Sequence, residues 1–129
     1  MKENPLPESA LRSRRLLVVE DDYFWADELS QGLRRVGAIV LGPAASINAA
    51  RAFLEEQPQP DGVILDINLR GERAYAIADL LLARRVPFLI MTGYDMEALP
   101  AGYASVIRLE KPVALDAVVK AVADLLLPV

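Results

Sequence analysis

The sequence predicts an α/β protein built on a doubly wound, five-stranded parallel sheet, and three observations carry that prediction. Short apolar runs recur five times, unbroken at Leu16–Val19, Ala38–Leu41, Val63–Leu65 and Phe88–Met91 and interrupted by Arg108 in Ser105–Leu109. Such runs suit strands buried on both faces, as in a parallel sheet covered by helices. Between and after them, apolar residues recur at helical spacing. The alternation of the two patterns is the signature of a sheet wound with helices on both sides.

In chain order, residues 1–13 hold two prolines and mixed charge without periodicity and read as a flexible arm, leaving 14–129 as one domain. Leu16–Val19 is the first strand and runs into Glu20-Asp21-Asp22. Trp25, Leu29, Leu33 and Val36 mark the first helix, with Gly37 as its stop. Ala38–Leu41 is the second strand, closed by Gly42-Pro43. Ser46 is placed as the N-cap of a helix through Ile47, Ala50, Phe53 and Leu54 that breaks before Pro58. Val63–Leu65 leads into Asp66, with turn chemistry at Asn68 and Gly71. Ala74, Ile77, Ala78 and Leu81 mark a third helix, whose basic end Arg84-Arg85 suits the negative end of a helix dipole. The fourth strand stops at Thr92-Gly93. Residues 95–104, interrupted by Pro100 and Gly102, allow at best a short or mobile fourth helix. After the fifth strand, Lys111-Pro112 turns the chain into a last helix along Leu115, Val118, Val119, Val122 and Leu126.

Composition narrows the chemistry. At 129 residues the chain suffices for one domain with a real core. It is 53% apolar and 25% charged, which makes it globular. A net charge of −4 argues against direct nucleic-acid binding. With no cysteine and no histidine, thiol chemistry, thiolate metal sites and the commonest general base are excluded. No apolar stretch has the length of a membrane span and no signal peptide is evident, so a cytoplasmic location is expected. Chemistry must run on carboxylates, hydroxyls, Lys and Arg.

Those groups gather at strand ends. Glu20 and Asp21 end the first strand, Asp66 the third and Thr92 the fourth, and Lys111 follows the fifth. Each alone has an ordinary structural reading: a helix N-terminus, a loop cap, a strand-end hydroxyl, a surface lysine. Open α/β sheets bind ligands at the carboxyl ends of their strands, and with strand order 2-1-3-4-5 all five side chains converge there. That order is an analogy with known folds. Three carboxylates without His suit a hard divalent cation, and Mg²⁺ favours a few carboxylates with water and phosphate oxygens. A carboxylate is also a nucleophile able to form an aspartyl phosphate, with Lys111 and Thr92 positioned to meet phosphoryl oxygens. Asp66-x-Asn68-x-Arg70-Gly71 superficially matches a calcium loop, but Ile77 stands where the bidentate Glu is needed.

Val18-Val19-Glu20-Asp21-Asp22, Val63 through Gly71, Met91-Thr92-Gly93 and Glu110-Lys111-Pro112 together resemble the receiver domains of two-component response regulators, over residues 15–127. The resemblance implies a flavodoxin-like receiver fold with strand order 2-1-3-4-5. It also implies Asp66 as phospho-acceptor, Glu20 and Asp21 as the acid pair around Mg²⁺, and the backbone carbonyl of Asn68 as a further metal ligand. Thr92 and Lys111 become the hydroxyl and amine that sense the phosphoryl group, and the donor is a sensor histidine kinase or phosphotransfer protein. More narrowly, Pro87 through Tyr94 is similar to the PFxFATGY motif of a subgroup common in stand-alone regulators, with Ile90 and Met91 replacing its Phe-Ala.

Three departures bear on output. Arg70 stands where Pro is common, the stretch from Thr92 to Lys111 is short, and Arg108 occupies the position of the usual switch aromatic. The expectation is that Thr92 couples to Tyr94 and the 95–104 segment, while Arg108, too costly to bury unpaired, stays at the surface. No effector domain is expected beyond the last helix, so output should be binding to a protein partner. The apolar stripe of that helix, with the fifth strand, suggests a homodimer surface. Two alternatives are a phosphorylation-independent interaction module and a small Mg²⁺-dependent aspartyl-phosphate phosphatase resembling haloacid dehalogenases. The latter would want an acid where the chain has Asn68.

Overall fold

The computed structural model describes residues 10–93 and 99–127. Five parallel strands form the main sheet: β1 (Arg15–Val19), β2 (Ile39–Ala44), β3 (Gly62–Asp66), β6 (Phe88–Thr92) and β7 (Ile107–Glu110), in the order β2-β1-β3-β6-β7. Counting these five strands alone, the order is 2-1-3-4-5, that of a flavodoxin-like fold. A two-stranded antiparallel hairpin, β4 (Asn68–Leu69) with β5 (Glu72–Arg73), follows β3 directly. Among the described residues, four complete α-helices flank the sheet: α1 (Tyr23–Arg35), α2 (Ile47–Glu56), α3 (Tyr75–Ala83) and α4 (Leu115–Leu126).

Alternation along the central strands builds two cores. Leu17, Val19, Val63, Leu65, Phe88 and Ile90 pack with Ala50 and Leu54 of α2 and Ile77, Ala78 and Leu81 of α3. Their neighbours Leu16, Val18, Ile64, Leu89 and Met91 pack with Ala26, Leu29 and Leu33 of α1 and Val118, Val122 and Ala123 of α4. Between its end residues each central strand is therefore apolar throughout, which is why its sequence runs unbroken instead of alternating.

The helix ends follow their local chemistry. Asp22 caps α1, its carboxylate accepting from the Trp25 N–H at 3.2 Å. Ser46 caps α2, its hydroxyl accepting from the Ala49 N–H at 3.1 Å. Gly37 supplies the positive φ (93°) that lets the chain leave α1. Arg84 does more than face its own helix end. Its guanidinium donates to the Leu54 carbonyl at 2.7 Å and ties α3 to the C-terminal turn of α2.

Several sequence expectations need correction. The arm foreseen over residues 1–13 falls largely outside the described residues, but Ala10 and Leu11 are helical and Leu11 is fully buried against the α1 side of the sheet. Composition suggested an arm because two prolines hide a single anchoring leucine. Leu11→Ala should lower stability by about 2 kcal/mol, read from urea unfolding, where a loose arm would show no change. Gly42-Pro43 does not close β2 but lies inside it, at a register irregularity against β1. An edge strand tolerates a proline there because that residue has no ladder bond to lose. The fifth main-sheet strand begins at Ile107, not Ser105, and continues to Glu110.

Between β6 and β7 the described residues show only a 3-10 turn, Ala101–Tyr103. It is anchored by Tyr103, which stacks on Tyr75 at 5.6 Å and donates its hydroxyl to Asp79 Oδ1 at 2.6 Å. Burial and the Asp79 carboxylate push the Tyr103 hydroxyl up to about 12. Tyr94, with the Thr92–Tyr94 coupling expected for it, lies outside the described residues.

Candidate phospho-acceptor site

The carboxyl ends of the sheet strands assemble the site. Glu20 follows β1 and extends its pairing through an N–H bond to the Ala44 carbonyl at 3.0 Å. Asp66 is the last residue of β3, and Thr92 the last of β6. The Lys111 N–H donates to the Thr92 carbonyl at 2.7 Å, which fixes the lysine backbone at the end of β6. From there its ammonium bridges two acids, donating to Glu20 Oε1 and Asp66 Oδ2 at 2.8 Å each.

The remaining carboxylate oxygens are held by backbone. Glu20 Oε2 accepts from the Asp22 N–H at 2.9 Å, and Asp66 Oδ1 accepts from the Asn68 N–H at 2.9 Å. Asp21 Oδ2 accepts from the Arg70 N–H at 2.7 Å. Glu20 and Asp66 are buried, only 3% and 5% exposed. The Thr92 hydroxyl is fully buried and has no hydrogen-bond partner among the described residues. A buried, unpaired hydroxyl costs stability unless something else engages it.

Ligand atoms of Glu20, Asp21 and Asp66 lie within 4.8 Å of one another. An all-oxygen set of this kind fits a hard divalent cation such as Mg²⁺. Burial is the largest influence on Glu20 and raises its carboxyl from 4.5 to about 7. Its bonds to Lys111 and Asp22 oppose the rise, and the nearby Asp66 charge adds to it. For Lys111, burial works against the charged form, but the hydrogen bonds to Asp66 and Glu20 outweigh it and hold the ammonium protonated. The single lysine leaves the acid cluster incompletely neutralised, as a site awaiting a cation would be.

All five residues named from strand ends are thus brought together: Glu20, Asp21, Asp66, Thr92 and Lys111. Asn68 opens β4 beside them, in contact through its N–H. Arg108 stands apart on exposed β7, paired in register with Ile90. Sequence reasoning missed two contributors. Asp22 serves as helix cap and as the donor to Glu20, a role signalled by an acid one residue before a helical periodicity. The Arg70 N–H was illegible, because a backbone donor carries no residue-type signal.

No family model matches the chain. It is similar to the solution structure of SdrG from Sphingomonas melonis Fr1, with a TM-score of 0.76 and 34% identity over 92% of this chain and 98% of that one. A protein from Chloroflexus aurantiacus J-10-fl, named as a response regulator, superposes with a TM-score of 0.75 at 30% identity, covering 89% and 98%. The sensory transduction protein LytT of Bacillus cereus is 37% identical over 92 residues. That match takes 67% of this chain and 36% of LytT, so the chain spans little more than a third of this curated relative. On that likeness in sequence and fold, the chain belongs to the receiver-domain family of response regulators.

Proposed function

We propose that this receiver accepts a phosphoryl group on Asp66 from a phosphohistidine of a sensor kinase or phosphotransfer protein, in a Mg²⁺-dependent reaction, and signals by binding a protein partner. The observation that carries the reading is the Lys111 ammonium, 2.8 Å from both Asp66 and the buried Glu20. An Asp66 oxygen attacks phosphorus as the donor's P–N bond breaks, and the electron pair leaves with the imidazole nitrogen. Lys111, already on Asp66, meets a developing negative oxygen, and the buried Thr92 hydroxyl can donate to another. Glu20 and Asp21 would hold Mg²⁺ with Asp66 and the Asn68 carbonyl. When bound, the ion supplies charge neutralisation at the phosphoryl oxygens. The chain is then a phospho-acceptor and not an enzyme acting on a separate substrate.

SdrG has been solved in a BeF₃-activated conformation. By analogy, beryllofluoride with Mg²⁺ should bind here, with Tyr94 and the residues around it responding and Arg108 free as a partner contact. The stand-alone, PFxFATGY-like character of the regulator and a cytoplasmic location belong to the same reading. No helix among the described residues is long and apolar enough to cross a membrane, in keeping with that location. Self-association through β7 and α4 fits the half-buried Leu115, Val119, Leu125 and Leu126 and the exposed Leu127.

Incubation with acetyl phosphate and Mg²⁺ should add one hydroxylamine-sensitive phosphoryl group, detected by intact mass, and EDTA should prevent it. No labelling, together with no beryllofluoride binding, would favour the phosphorylation-independent interaction module.

A further inference from the structure

At the N-terminal ends of the strands the surface gathers charge of one sign. The Ser13 N–H donates to the Gly37 carbonyl and the Ile39 N–H to the Arg14 carbonyl, each at 2.8 Å, so the chain entering β1 is zipped to the chain leaving α1. The first stretch brings Arg12, Arg14 and Arg15, the second Arg34 and Arg35. Arg12 lies across Gly37, where an added Cβ would meet its Cα at 3.4 Å. All but the half-buried Arg15 are exposed, and Ile39, 49% exposed, sits among them in register with Arg15.

Local structure answers little of this charge. Arg14 donates to the Ala10 carbonyl at 3.3 Å, and the Arg15 guanidinium holds the Gln59 and Pro58 carbonyls. Arg34 and Arg35 suit the C-terminal turn of α1, but a helix end amounts to only about half an elementary charge. Asp61 touches the cluster through the Arg15 N–H at 2.7 Å. Asp27 and Asp116 share clefts with Arg34 and Arg35 and mark the borders of the patch. Among the described residues none of the five arginines makes an ion pair. Like charges gathered in this way repel, and a bound anion relieves the repulsion.

We propose that Arg12, Arg14, Arg34 and Arg35 around Ile39 form a docking surface for an acidic segment of a partner protein, whose carboxylates meet the guanidiniums while an apolar side chain covers Ile39. Arginine suits carboxylates because its planar fork holds one by two parallel bonds. The net charge is −4 with these five arginines included, so the rest of the chain is strongly acidic. A duplex or a bilayer would bring that remainder into play, whereas a short segment meets the patch alone, within a Debye length of about 8 Å. Five residues of strand, roughly 16 Å, separate Arg15 from Glu20, so the occupant leaves the acid cluster open. The inference is independent of phosphorylation at Asp66.

The probe is a fluorescein-labelled peptide with a leucine between runs of glutamate, followed by anisotropy. It should bind at low salt, weaken steeply with added NaCl, and lose roughly tenfold in the double variant Arg12→Gln, Arg35→Gln. The double variant Arg73→Gln, Arg85→Gln, with exposed arginines elsewhere, should stay within about twofold of the parent. Replacing the peptide's leucine by serine should weaken binding to the parent and not to Ile39→Ser. Amide chemical shifts of the unsubstituted chain give a reading that no folding defect can mimic, and saturating peptide should move residues 12–15 and 34–39. No saturable binding, equal binding of a glutamine version of the peptide, equal losses in the two double variants, or shifts centred elsewhere would each overturn the proposal. So would phosphatidylglycerol vesicles or duplex DNA binding more tightly than the peptide through the same arginines, which would assign the patch to a membrane or to nucleic acid.

Discussion

Asp66→Asn should take up no phosphoryl group from acetyl phosphate or a cognate kinase, with the label falling from stoichiometric to background. The substitution keeps the shape and keeps an oxygen that can accept from the Asn68 N–H or from Lys111. It removes the charged nucleophile, and an amide oxygen is a poor substitute. No neighbouring acid can take over. Glu20 is only 3% exposed, with its oxygens on Lys111 and the Asp22 N–H, and Asp21 is held by Arg70. The fold should survive, because Lys111 retains Glu20. Intact mass after hydroxylamine treatment, beside a urea unfolding curve, checks both halves. A stoichiometric label in folded Asp66→Asn would show that the acceptor is another residue.

The second large effect is a dependence of stability on pH in the metal-free protein. Glu20 has a folded-state value of about 7 against 4.5 unfolded, so between those values the native state binds more protons. Stability contributed by the proton is therefore complete below about 4.5 and is lost as pH rises through about 7. A shift from 4.5 to about 7 corresponds to roughly 3 kcal/mol at about 1.4 kcal/mol per unit. In EDTA, urea unfolding of the parent minus that of Glu20→Gln should show this decline, with carboxylates remote from Glu20 cancelling in the difference. Saturating Mg²⁺ should flatten it, because an ion bound to the ionised form of the native state stabilises that state by mass action. A difference curve independent of pH would remove Glu20 as the source.

These two effects trace to residues that the sequence displayed openly. Strand-end chemistry was legible because a parallel sheet forces it: the apolar runs of the three central strands are buried on both faces, so the first polar residue after each lies at one common edge. Glu20, Asp66 and Thr92 could be placed from that rule before any coordinate was known. What stayed hidden was what residue type does not encode. The hairpin after Asp66 has Arg-Gly at its tip instead of the Asn-Gly or Asp-Gly that would have announced it. Leu11 is one buried leucine in a proline-bearing stretch without periodicity. Pro43 looked like the end of a strand because proline has no N–H for a ladder, although the edge position of β2, already implied by the order 2-1-3-4-5, tolerates one.

The placement of that proline bears on how the molecule avoids sticking to itself. A five-stranded open sheet has two edges, each a row of donors and acceptors ready to template another chain. On β2 the rim is interrupted by Gly42-Pro43, where one donor is missing and the register against β1 breaks. On β7 the rim carries exposed Arg108 and Glu110 instead. The two borders are thus guarded by different means, backbone chemistry on one and charge on the other. A continuous sheet running from one copy into the next is disfavoured at both, so any pairing of receivers along β7 would have to be made by side chains.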